Sequence, residues 1–105
     1  MINFKAFKKL DLRVATVLEA EKVKESDNLM KLQVDLGEEK RQILAGIQKY
    51  YTSKELIGRQ IIIVANLEPK IMLGLESQGM LLAAGEVEPI LLMPDKKTEP
   101  GSKIH

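Results

Sequence analysis

The sequence predicts an all-β fold with short helices: a five-stranded barrel with a helix between the third and fourth strands. Three observations carry this. Residues 10–20 alternate over eleven positions, the clearest strand signal in the chain. Residues 29–36 alternate again, and a Gly37-Glu38-Glu39 turn sends 40–45 back beside them, completing a three-stranded meander. Two further apolar runs, 61–65 and 80–84, frame a segment holding Asn66, Pro69, Gly74 and Gly79. They read as two buried strands joined by an irregular loop, the kind of place where binding residues sit.

Each element has a local reason. At the start, Asn3 is suited to cap one helical turn, which docks Phe4 and Phe7 on the core and turns Lys5, Lys8 and Lys9 outward. In the first strand, Leu10, Leu12, Val14, Thr16, Leu18 and Ala20 share one face, while the other, Asp11, Arg13, Ala15, Val17 and Glu19, is mixed and expected to be partly covered. In the second, Met30, Leu32, Val34 and Leu36 point inward. Thr52 and Glu55 fit a capping box; Leu56 and Ile57 pack inward, and Gly58 closes the helix. After Gly85 a polar link reaches Pro89 and the apolar run 90–93. Residues 96–100 are expected to be exposed, and 101–104 to trail off. This order of elements is that of an OB-fold, with another small β-barrel as the alternative.

At 105 residues, with no linker, repeat or low-complexity stretch, the chain is expected to be one domain, 1–105. Its apolar runs are too short to span a membrane. No signal peptide is visible, and there is no cysteine, which suits a cytoplasmic protein. The net charge of +1 means that any attraction to nucleic acid must come from a local patch.

Catalysis is poorly supported. The single histidine is His105, the last residue, and no nucleophile–base pair of the usual kinds is present. A Ser77–Lys70 pair is a remote alternative. Neither metal-ligand spacing nor a phosphate- or dinucleotide-binding glycine pattern occurs, so no metal and no cofactor is expected. The chain reads as a binder. On an OB barrel, Arg13, Lys31 and Arg41 are placed to project from the outer side of strands one to three, with Lys70 nearby. Each phosphate neutralised would add roughly 0.7–0.9 to the logarithmic salt slope. Taken as residues alone, ordinary surface cations explain these four equally well. With few aromatic residues, recognition of a folded RNA's shape and backbone is favoured over stacking on single strands.

The wording of the segments is more telling. Asp11-Leu12-Arg13-Val14, Ser26-Asp27-x-Leu29 with Lys31, Ala45-Gly46-Ile47 and Leu56-Ile57-Gly58-Arg59 occur in order. Val64-Ala65-Asn66-Leu67 and Glu76-Ser77-Gln78-Gly79-Met80 follow. Together they resemble the tRNA-binding domain found at the C-terminus of many methionyl-tRNA synthetases. The same domain occurs as a stand-alone bacterial tRNA-binding protein and in the endothelial monocyte-activating cytokine. The resemblance covers nearly the whole chain. It implies an OB-fold that binds tRNA by shape near the outer corner of the L, with little regard to anticodon sequence, and that does no catalysis. It places RNA contacts on Arg13, Lys31, Asn66, Lys70, Ser77 and Met80, to which the strand position of Arg41 adds a seventh. It also implies a homodimer through the region after the barrel, burying Ile90, Leu91, Leu92 and Met93 with Phe4 and Phe7. The partners implied are tRNA, a second copy and the catalytic part of methionyl-tRNA synthetase.

One departure bears on affinity. Many family members carry a basic run after the asparagine, but here Ile71 and Leu73 occupy two of the usual cationic positions, and Asn28 stands where lysine is common. Modest affinity for isolated tRNA is therefore expected, rising when a synthetase adds contacts. Two rival readings stay open: a protein-binding, chaperone-like module using Ile71 and Leu73, and an appendage whose main work is dimerisation.

Overall fold

The structure is a computed structural model and describes residues 1–105. Its elements are α1 (Phe4–Phe7), β1 (Leu12–Lys22), β2 (Met30–Asp35), β3 (Lys40–Ala45), α2 (Ser53–Leu56) and β4 (Gln60–Val64). They are followed by β5 (Lys70–Met72), β6 (Leu75–Ser77), β7 (Met80–Leu81), β8 (Ala83–Ala84) and β9 (Ile90–Leu91). One antiparallel sheet runs in the order β3-β2-β1-β4-β7, while β5 pairs with β6 and β8 with β9. The main sheet curls until β3 lies against β6 and β7. The result is the nearly closed five-stranded barrel of an OB-fold, with α2 between β3 and β4 as expected. No helix is long and apolar enough to cross a membrane.

The predicted caps are present. Asn3 Oδ1 accepts from the Ala6 amide, and Thr52 and Glu55 make both bonds of a capping box. On β1 the mixed face supplies the core. The core cluster takes Ala15 and Val17, with Leu32, Val34, Ile61 and Ile63 around them, and not Leu12 or Val14. A bulge between Val17 and Glu19 then shifts the register so that Ala20 packs inward beyond it. Leu12 and Val14 are nevertheless buried, on the same face as their β4 partners Val64 and Ile62. Both faces of this strand pair are covered, as the mixed second face led one to expect, and period 2 alone does not rank them.

The C-terminal residues supply a strap along β1. Gly101 and Ser102 exchange backbone hydrogen bonds with Val14, Ile104 donates to the Leu12 carbonyl, and Lys103 bridges to Arg13. Upstream, the Gln60 amide holds Thr98 from both sides, donating to its carbonyl at 2.7 Å and accepting from its N–H at 3.0 Å. Residues 101–104 therefore do not trail off; they occupy the edge of β1 beyond the end of β2. Other expectations also change. Ile57 faces solvent, Phe4 is exposed and Phe7 only partly buried. The run 80–84 splits into two short strands with Ala83 and Ala84 exposed; between them Leu82 still donates to the Ile62 carbonyl on β4 and accepts from Leu92, where the chain passes to its pairing with β9.

Candidate nucleic-acid interface

The loop predicted between the fourth and fifth strands contains a hairpin of its own, β5 and β6, with Lys70 opposite Ser77 and Ile71 opposite Glu76. Leu73 and Gly74 form its two-residue turn, at φ 50° and 77°. Positive φ at both positions is the type I′ geometry that Asn-Gly favours, and leucine at the first is strained. Leu73→Gly is therefore expected to raise stability by roughly 1 kcal/mol, measured as a higher denaturant midpoint at unchanged slope.

The Glu76 to Met80 segment sews this hairpin onto the open edge of β3. Ser77 is 3% exposed. Its Oγ accepts from the Leu44 amide at 2.9 Å and donates to the Gly79 carbonyl at 3.0 Å. The Gln78 amide donates to the Gln42 carbonyl, and its side chain accepts from the Gln42 N–H at 3.0 Å. Gln42 Nε2 in turn donates to the Glu76 carbonyl at 2.9 Å. Side chains thus do here what a strand's backbone does elsewhere. At Gly79 a Cβ would stand 2.9 Å from the Val64 carbonyl oxygen, so a glycine is needed for the approach.

The seven residues expected to face RNA fall into separate places. Arg13 and Arg41 line a hollow of about 540 Å³ at one end of the barrel, not the outer sheet face. Arg41 donates to the Ala65 and Gln78 carbonyls and pairs with Glu39 at 2.7 Å. Arg13 pairs with Asp11 at 2.8 Å and donates to the Gly101 carbonyl. Asn66 joins two segments, accepting from the Asp11 amide at 2.8 Å and donating to the Lys9 carbonyl at 2.7 Å. Lys31 lies on the outer face of β2, held by Glu21 at 2.6 Å and flanked by Glu19. Only Lys70 and Met80 come together with free functional atoms. They border a groove of about 520 Å³ also lined by Leu44, Leu67, Glu68, Met72, Ser77 and Gly79. Lys31 is the register partner of Leu44, which links it to this groove.

Arg13 holds the Asp11 carboxyl below its ordinary range, chiefly through their hydrogen bond. A lowered carboxylate contributes stability above its unfolded pKa, about 4, and loses it as the pH falls through the folded value. The stability gap between the native chain and Asp11→Asn is accordingly expected to be full at pH 6 and to narrow below pH 4 in chemical denaturation.

Residues 12–103 match the sequence model of the family described as "Putative tRNA binding domain". The chain belongs to this tRNA-binding-domain family. It is 57% identical over 105 residues to the methionine–tRNA ligase of Methanothrix thermoacetophila, covering 99% of this chain and 16% of that enzyme. To the corresponding ligase of Thermotoga maritima it is 52% identical over 104 residues, again 16% of the enzyme's length. Among solved structures, chaperone CsaA from Bacillus anthracis superposes with a TM-score of 0.94 at 38% identity, covering all of this chain and 99% of that one. The MetRS-related protein of Pyrococcus horikoshii gives 0.90 at 34%, with 100% and 98% covered. In this family member, the residues that sequence reasoning missed are Gln42, Leu44 and Leu67. Gln42 sat unremarked in a predicted strand, and its pairing across the closure has no sequence signal.

Proposed function

We propose that this chain is a single tRNA-binding domain that recognises the folded shape and backbone of tRNA and tolerates its sequence. In this reading it serves in the cytoplasm as the C-terminal dimerising domain or β subunit of a methionyl-tRNA synthetase, or as a trans-acting cofactor, and performs no catalysis itself. The observation that carries the reading is the groove beside the clamped hairpin, whose cation Lys70 has no carboxylate partner, in a chain of this family. Lys70 and Met80 are assigned direct contact, with Lys31 joining once it leaves Glu21. Arg13, Arg41, Asn66 and Ser77 are assigned to holding the surface in shape. The test is titration of folded tRNA against an unstructured RNA of equal length at several salt concentrations. Preference for the folded RNA with a salt slope of a few units supports the reading; equal, weak binding to both sinks it.

Homodimerisation belongs to the same proposal. Ile90 (52% exposed) and Met93 (63%) are apolar side chains without a cover in the single chain, Leu92 between them is exposed too, and Phe4 (72%) has only the Lys8 ammonium over its ring. Of the predicted interface residues, Leu91 is already buried in the core, tied through its amide to the Tyr51 hydroxyl, and Phe7 is half-buried. Ile90→Asp with Met93→Asp is expected to give a folded monomer by light scattering. A dimer that persists in this variant would place the contact elsewhere. The protein-binding reading also has an observation in its favour: Ile71 (63% exposed) and Leu73 (59%) stand at the hairpin turn of a chain that superposes on a chaperone. Under that reading, aspartate at both positions abolishes peptide capture while Lys70→Ala leaves it intact.

A further inference from the structure

The densest run of cations in the sequence, Lys5, Lys8 and Lys9, falls within a ten-residue start that holds no carboxylate. All three are exposed, and none enters an ion pair. The contrast with the strand cations is sharp: Arg13, Lys31 and Arg41 each face a carboxylate at 2.6–2.8 Å, which a phosphate would have to displace. The outer face of β1 and β2 adds Glu19 and Glu21 around Lys31 and so opposes a polyanion.

The backbone that carries them is also anchored. Asn3 caps the turn through the Ala6 amide at 2.8 Å. Lys8, Lys9 and Leu10 then donate in succession to the carbonyls of Phe4, Ala6 and Phe7. The Lys8 ammonium sits 5.0 Å above the centre of the Phe4 ring. At its far end the segment is gripped by Asn66 from both sides, on the Lys9 carbonyl and the Asp11 amide. Asn66 begins the same loop that leads to Lys70 and the groove. Three unpaired lysines carried on one anchored backbone segment, joined to that loop, suit a sugar–phosphate backbone better than scattered surface charges.

We propose that Lys5, Lys8 and Lys9 form the main phosphate-binding site of the RNA surface, ahead of the strand cations. The inference rests on the tRNA-binding reading and names the part of the RNA that this segment meets. Its test compares the native protein, Lys5→Gln/Lys8→Gln/Lys9→Gln and Lys31→Gln in salt titrations with one folded tRNA. Circular dichroism confirms that each variant is folded. The triple variant is expected to lower the logarithmic salt slope by about 2–3 and the affinity at least tenfold, and Lys31→Gln to lower the slope by less than about 1. A triple variant with native slope and affinity, alongside a native protein that still prefers folded tRNA, overturns the inference and leaves the tRNA reading standing. A native protein without that preference removes the tRNA reading itself, and the inference with it.

Discussion

Replacing Gly101 by alanine is expected to cost about 3–5 kcal/mol, combining left-handed backbone strain with a steric clash. Gly101 has φ 86°, and a Cβ there would run into the Leu36 carbonyl oxygen. That contact cannot yield easily, because Leu36 is buried and its amide is bonded to the Glu39 carbonyl across the turn. Nor can the strap shift alone, since Gly101 and Ser102 are both bonded to Val14. Gly58 is the internal control. Its φ is similar, at 87°, but a Cβ would meet nothing within 4 Å, so alanine there is expected to cost only the strain, roughly 1 kcal/mol. Urea denaturation of the two variants checks this. Equal losses would mean that the strap is not docked on β1. For a domain stabilised by only about 5–15 kcal/mol, the expected difference decides whether it stays folded when warmed. The same strap bears on truncation: removing the last residues strips the edge of β1, so loss of a dimer on such truncation does not by itself locate the interface.

The second large effect concerns the closure of the barrel. Ser77→Ala combined with Gln78→Ala is expected to destabilise by about 2–4 kcal/mol, because the buried Leu44 amide loses its acceptor and the Gln42 amide loses its own. The salt slope of RNA binding, measured where the variant is still folded, is expected to stay at its native value, since no cation has been removed. A loss of slope with little loss of stability would return Ser77 to the RNA contacts. The resemblance placed an RNA contact on Ser77, but both functions of its hydroxyl are engaged by Leu44 and Gly79. Part of a binding signature can thus be a folding signature, with Gln78, Gly79 and Ser77 shaping the groove that Lys70 and Met80 border.

By itself, the sequence determined the order of the five barrel strands and the two helices, both helix caps and the OB-fold, because these rest on local periodicity and short-range hydrogen bonds. The family, too, was legible from six short segments in order. Tertiary structure alone decided which face of β1 is inside, since period 2 separates two faces without ranking them when both are covered. It alone turned 101–104 into a strap, the bonds to Val14 being long-range and carrying no local pattern. It also divided the expected cations into those that carboxylates and carbonyls hold and those left free. That division depends on which side chains the fold brings within about 3 Å, a distance that spacing along the chain does not encode.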